Sequence, residues 1–149
     1  MIKAIIFDWG RTLWDNENGV LFPDTKETLE YLRGKGYRMA LLSVTENTAE
    51  GLKLKRIQDG GLEPFFDKIV LCEEKGETEV QTINARWNLP YEDIMVIGDR
   101  TKADIRIANR LGTKSIWVRR GKFADELPDE ETGTPTHTIT TVGELKSIL

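Results

Sequence analysis

Cysteine is almost missing from this chain: Cys72 is the single one among 149 residues, so no intramolecular disulfide can form. Its apolar neighbours in KIVLC predict a thiol buried in a strand, and a reducing, cytoplasmic setting is expected. Histidine is equally scarce. His137, in THTIT, lies far in sequence from every other polar motif and is read as a strand residue outside any mechanism.

Long apolar runs are also missing. No stretch approaches the roughly 20 apolar residues needed to cross a bilayer. The first burst, IKAIIF, is short, carries Lys3 and runs straight into Asp8, so no signal peptide and no membrane partner are expected. Charge of one sign is lacking as well: 21 Lys and Arg stand against 25 Asp and Glu, a net charge of −4. That balance offers no footprint for nucleic acid, and the short cluster Lys53, Lys55, Arg56 reads as a solvated helix face. Internal repeats are absent, and the length suits one ordinary domain, so residues 1–149 are read as a single domain.

What the sequence does contain is a regular alternation. Strand-length apolar bursts recur at AIIF (4–7), MALLS (39–43), KIVLC (68–72), IMVIG (94–98) and KSIWV (114–118), and their composition predicts strands buried on both faces. Between them lie helix start and stop signals: Asp24 with Glu27, Asn47 with Glu50, and Gly36 and Gly112 just past an end. Val80, Ile83 and Trp87 fall at spacings of three and four, the stripe of a helix covering a sheet, which makes Trp87 core. The stretch at 122–136, rich in acidic residues, Gly and Pro, reads as a surface loop before a last short strand, HTIT, and a closing helix, VGELKSIL. Such alternation with short connections predicts a parallel sheet wrapped by helices, with a ligand crevice at the carboxyl ends of its strands.

The residues just past those ends carry chemistry. Asp8 follows AIIF, Ser43 closes MALLS, Lys75 comes three residues after KIVLC, and Asp99 follows IMVIG with Asp104 five residues on. Carboxylate oxygens suit a hard cation such as Mg2+, a carboxylate can act as nucleophile, and a hydroxyl with an ammonium can hold phosphate oxygens. Singly, each is as well explained as a cap or a turn former.

In order, DWGRTL, Ser43, Lys75 and GDRTKADI resemble the four motifs of the haloacid-dehalogenase-like (HAD) hydrolases. The segments 20–43 and 91–121 extend that resemblance over the first helix and second strand, and over the acidic loop, its helix and the fifth strand. The resemblance implies a three-layer Rossmann-like fold with a five-stranded, mainly parallel sheet in the order 5-4-1-2-3. It implies a magnesium-dependent phosphatase in which Asp8 forms an aspartyl-phosphate and Ser43 and Lys75 bind the phosphoryl group. Asp8, Gly10 through its carbonyl, Asp99 and Asp104 would hold Mg2+. Lys75 is preferred over Lys68 because it lies beyond the strand and before the next helix.

Three departures qualify that picture. Gly10 stands where the family's phosphatases carry the aspartate that protonates the leaving alcohol, so turnover is expected to be slow. A catalytically impaired protein that binds a phospho-ligand or a partner protein is the alternative. Branches that lack this acid and cleave carbon–halogen or carbon–phosphorus bonds rely on a cap domain, and the retained Asp99 and Asp104 argue against dehalogenation. Asp15 is the nearby carboxylate that could substitute, or merely tie its loop. Arg11 replaces a customary glycine and could grip a substrate anion, or simply be solvated.

Finally, the two places where caps are inserted hold only LWDNENGVLF and about one helix, so no cap domain is expected. The crevice would then be open, closed by a second copy of the chain, or covered by the substrate. A phosphorylated small molecule or a phosphorylated macromolecule is the expected partner, with Trp9, Trp14 and Phe22 available to line the site.

Overall fold

The strand β1 (Ala4–Phe7) is apolar at every position, and the computed structural model, which describes residues 1–45 and 51–149, shows why. β1 lies in the interior of a six-stranded parallel sheet, between β4 (Arg38–Val44) and β6 (Ile94–Gly98). With β5 (Lys68–Cys72), β7 (Lys114–Val118) and β8 (His137–Ile139) the order is β5-β4-β1-β6-β7-β8. The order among the five expected strands is the expected one. The count differs: HTIT pairs in parallel with β7, His137 opposite Ile116 and Ile139 opposite Val118, and extends the sheet to six.

Alternation within each strand feeds two cores. Ile5, Phe7, Leu41, Met95 and Ile97 point to one face, packed under Leu29 and Leu32 of α1 (Thr25–Gly34), Ile57 of α2 (Leu52–Asp59), and Val142 and Leu145. Ala4, Ile6, Ala40, Leu42 and Val96 point to the other, under Val80, Ile83 and Trp87 of α3 (Glu77–Trp87) and Ile107 and Ala108 of α4 (Arg106–Leu111). Each fully buried Ile or Leu contributes about 1.5–3 kcal/mol, so the layers hold together largely through these two clusters. Trp87 is core as expected, and its indole N–H donates to Asp67 at 2.9 Å.

Several local expectations need correction. β5 is an edge strand, so its residues beyond Lys68 are half-buried rather than enclosed, and Cys72 is half-buried with them. The closing helix is a 3-10 segment, Val142–Ser147, started by a capping box between Thr141 and Glu144. Asp24 precedes α1 but does not cap it; its carboxylate accepts from the Gly143 N–H at 2.9 Å and ties α1 to that segment. The Asn47 and Glu50 start signal lies outside the described residues.

Between β1 and α1 the chain makes a small antiparallel hairpin, β2 (Trp14–Asp15) with β3 (Val20–Leu21), that stands beside the sheet. Trp9 and Trp14 stack at 5.5 Å and fasten this hairpin to the core. No helix among the described residues is long and apolar enough to cross a membrane.

Candidate active site

Parallel register sets the site. Phe7 stands level with Leu41 and Ile97, so Asp8 leaves the sheet at the level of Leu42 and Gly98. Ser43 and Asp99 then lie one residue beyond it on either side. The Asp8 N–H donates to the Ile97 carbonyl at 2.9 Å, which carries the ladder to the edge of the crevice. Lys75, on the loop from β5 to α3, reaches across so that its ammonium lies 3.0 Å from Asp8 Oδ1 and 2.7 Å from Asp104 Oδ1. Lys68 is exposed at the start of β5.

The acidic loop is held in place by groups the motif alone does not disclose. Residues Thr101–Ile105 form a wide π-type turn before α4, a geometry found disproportionately at functional sites. It turns Asp104 back toward the sheet, where Asp104 Oδ2 accepts from the Arg100 N–H at 3.2 Å. Gly98 makes room: any Cβ there would overlap the Asp104 carboxylate. The Trp117 indole donates to the Asp99 carbonyl at 3.0 Å and fixes the loop from below.

Three carboxylates therefore converge. One oxygen each of Asp8, Asp99 and Asp104 lie within 4.8 Å of one another. Asp99 Oδ2 is buried without a hydrogen-bond partner. Three clustered carboxylates, one of them with a buried oxygen left unpartnered, are a donor set for a hard divalent cation.

The electrostatics reflect that crowding. Burial, then the charge of Asp8 and a shared hydrogen bond with it, push the Asp99 carboxyl up to about 9. Burial also raises Asp104, against the opposing charge of Lys75. At Asp8 burial works in the same direction but is overcome by Lys75, by hydrogen bonds from Asp99 and Lys75 and by the Trp9 N–H, so Asp8 stays below its ordinary value. Lys75 is driven upward because its two carboxylate partners outweigh its burial. Of the three carboxylates Asp8 is thus the one whose charged form is favoured, with the Lys75 cation beside it.

Asp15 accepts from the N–H groups of Glu17 and Asn18 and from the Asn18 side chain, at 2.8–3.2 Å; it ties the hairpin turn and does not line the crevice. Asn16 lies in the crevice instead, and its amide is 3.1 Å from where a Cβ on Gly10 would stand. Arg11 takes a left-handed backbone, φ 59°, which explains why glycine suits that position and costs an L-residue about 1–2 kcal/mol. Its guanidinium meets Glu17 at 3.4 Å and the face of Phe123 at 5.4 Å. Trp9 and Trp14 line the crevice, whereas Phe22 is buried outside it.

Other residues surround a crevice of about 370 Å³ that sequence reasoning placed elsewhere. Lys53 and Arg56 of α2 face into it, so two members of the cluster read as a solvated face belong to the site; Lys55 alone is exposed. The Lys53 ammonium donates to Ser43 Oγ at 2.9 Å and to the Val44 carbonyl. The stretch read as a loose loop is anchored by Glu126, whose carboxylate accepts from the Arg100 guanidinium at 3.0 Å, the Thr101 hydroxyl at 3.0 Å and the Lys102 N–H at 3.0 Å. Glu126 therefore braces the acidic loop from outside. His137 lies on β8, exposed and away from the crevice.

Residues 77–145 match the family described as HAD-hydrolase-like. Over 136 residues the chain is 32% identical to the glyceraldehyde 3-phosphate phosphatase of Methanopyrus kandleri, covering 83% of this chain and 57% of that protein. The chain spans a little over half the length of the first curated relatives it matches. Its fold is shared with an uncharacterised protein from Listeria monocytogenes serotype 4b, TM-score 0.79 at 21% identity, over 99% of this chain and 96% of that one. It is shared too with the magnesium-bound putative HAD-hydrolase YfnB of Bacillus subtilis, TM-score 0.72 at 23% identity, over 89% of this chain and 58% of that one. With its motif residues gathered at one edge of the matching fold, the chain belongs to the haloacid-dehalogenase-like hydrolase superfamily.

Proposed function

We propose that the chain is a Mg2+-dependent phosphatase of phosphoric monoesters that works through an aspartyl-phosphate on Asp8. The observation that carries this reading is the convergence of Asp8, Asp99 and Asp104 within 4.8 Å, with an unpartnered buried oxygen on Asp99. The donor set fits magnesium: the three carboxylates and the Gly10 carbonyl would hold it. When bound, the ion supplies positive charge that offsets the phosphoryl oxygens and keeps Asp99 ionised.

The chain's own groups account for the rest. Asp8 attacks phosphorus, the bond from phosphorus to the ester oxygen breaks, and the ester oxygen leaves with its electron pair. Ser43 and Lys75 hold the phosphoryl oxygens, Lys53 orients the Ser43 hydroxyl, and Lys75 keeps Asp8 deprotonated for attack. Water then hydrolyses the aspartyl-phosphate, restoring Asp8 and releasing phosphate. No side chain at position 10 can protonate the leaving oxygen, so esters of acidic alcohols are the faster substrates. The segments after β1 and β4 supply a hairpin and α2, and the crevice opens to solvent between them.

Magnesium is expected to raise the melting temperature, and phosphate release from an aryl phosphate is expected only with the ion present. A melting temperature indifferent to magnesium together with no phosphate release would sink the proposal. Gly10 favours a second reading, a protein that binds a phospho-ligand without turning it over. Magnesium-dependent binding of phosphate with no turnover across a substrate panel would select it.

Glu126 provides an independent check on the acidic loop. Burial would raise its carboxyl, but the bonds from Arg100, Lys102 and Thr101 hold it below its ordinary 4.5. A depressed carboxyl contributes stability that is complete above about pH 4.5 and is lost on acidification below it. Glu126→Gln is expected to weaken magnesium affinity by about 10–100-fold, the range for partners that orient metal ligands. Calorimetric titration reads this directly, and unchanged affinity would remove Glu126 from that role.

A further inference from the structure

The chemistry above uses the floor of the crevice and gives only Lys53 among its wall cations a task. Arg11, Lys53, Arg56, Arg100 and Lys122 line the same cavity as Lys75. Six cationic side chains thus face the two lining carboxylates, Asp8 and Asp99. Three of the six are paired with carboxylates: Lys75 with Asp8 and Asp104, Arg11 with Glu17 and Arg100 with Glu126. We propose that these walls form a subsite for a second anionic group, carboxylate or phosphate, on a small phosphorylated substrate. The inference rests on the phosphatase reading and adds a substrate class to it.

The wall cations are not all neutralised within the protein. Arg11 meets Glu17 at 3.4 Å, Arg100 meets Glu126 at 3.0 Å, and Lys53 donates to Ser43. Arg56 and Lys122 instead reach aromatic rings, Trp14 at 5.1 Å and Phe123 at 5.4 Å, and form no salt bridge among the described residues. They come from opposite sides of the nucleophile strand: α2 follows β4, and the turn Gly121–Phe123 follows β7. A ligand whose phosphoryl group lies on Asp8 therefore meets an uncompensated cation on each flank.

The walls are also stiff. Phe123 carries the Arg100 guanidinium 3.8 Å from its ring centre and that of Arg11 at 5.4 Å. Gly121, at φ 69°, lets the Arg11 stem pass so closely that a Cβ there would stand 3.1 Å from Arg11 Cδ. Guanidinium groups stacked on rings lose less freedom when an anion arrives, which favours binding. Arg11 moreover holds its left-handed backbone under strain, and strain of this kind persists where the surroundings over-determine a position, often at functional sites. The cavity, about 370 Å³, is of the size that takes a small molecule.

The test compares propylphosphonate with 3-phosphonopropionate, which differ by one carboxylate, in calorimetric titrations of the natural chain with magnesium. The carboxylate is expected to tighten binding by about tenfold at low salt, and the gap is expected to narrow as salt screens it. In Arg56→Gln combined with Lys122→Gln the two ligands are expected to bind within about threefold of each other. Lys122→Glu, at an exposed position, is expected to reverse the preference, and melting curves establish that the variants are folded. Equal affinity in the natural chain, or a gap that survives the double substitution, overturns the subsite while leaving the phosphatase reading in place. Failure of both ligands to bind overturns that reading and the subsite together.

Discussion

Asp8→Asn is expected to lower the magnesium-dependent turnover of an aryl phosphate by about 10⁴-fold or more, the scale at which loss of a nucleophile stops covalent catalysis. Asparagine keeps the shape of the side chain and can still accept one hydrogen bond, from Lys75 or from the Trp9 N–H. What it cannot do is attack phosphorus as an anion. The prediction depends on Asp8 being ionised, and the Lys75 ammonium 3.0 Å away favours its charged form. Quenched reactions of the natural chain should show one phosphoryl group on Asp8 by mass spectrometry, and Asp8→Asn should show none. Activity left unchanged by the substitution, in a variant with a normal melting curve, would place the chemistry elsewhere.

The parts of the fold that could be read from the sequence are those in which burial dictates composition. β1, β4, β6 and β7 are enclosed by helices on both faces, so their positions are nearly all apolar and their ends are sharp. Because the strands are parallel, the residues past those ends gather on one side, which is why Asp8, Ser43, Asp99 and Asp104 could be named together. The hairpin of β2 and β3 escaped because two-residue strands leave no periodicity, and its stability rests on the stacking of Trp9 on Trp14. β8 was read as a short strand, but nothing in HTIT says which edge it joins.

The supporting groups were harder to see, for a physical reason. Glu126 lies in a stretch whose composition predicts a solvated loop, and only the folded chain brings it against Arg100, Thr101 and the Lys102 N–H. Lys53 and Arg56 are on the crevice side of α2, but periodicity cannot say which polar face of a helix points to solvent and which to a cavity. Gly98 did leave a signal, a glycine between an apolar strand and Asp99. Its meaning, space for the Asp104 carboxylate, needed the wide turn that brings Asp104 back. The same holds for Arg11, whose left-handed backbone is invisible in the sequence yet sets the direction of its guanidinium.

Gly10→Asp is expected to raise turnover of an alkyl phosphate by about 10²–10⁴-fold, the usual contribution of a positioned general acid. The gain should be smaller for an aryl phosphate, whose leaving oxygen needs little help. Gly10 is not among the residues with a left-handed backbone, so an aspartate can be accepted there without backbone strain. The obstacle is Asn16, whose amide nitrogen and oxygen lie 3.1 and 3.2 Å from the new Cβ and must give by a few tenths of an ångström. Asn16 is exposed in a turn tied by Asp15, so its side chain can rotate away, but any cost of doing so reduces the gain. Gly10→Asp combined with Asn16→Ala is therefore expected to exceed Gly10→Asp alone. The measurement is kcat on matched alkyl and aryl phosphates for the natural chain and both variants. If magnesium and phosphate binding are retained and neither variant gains on the alkyl ester, the missing proton donor is not what limits this active site.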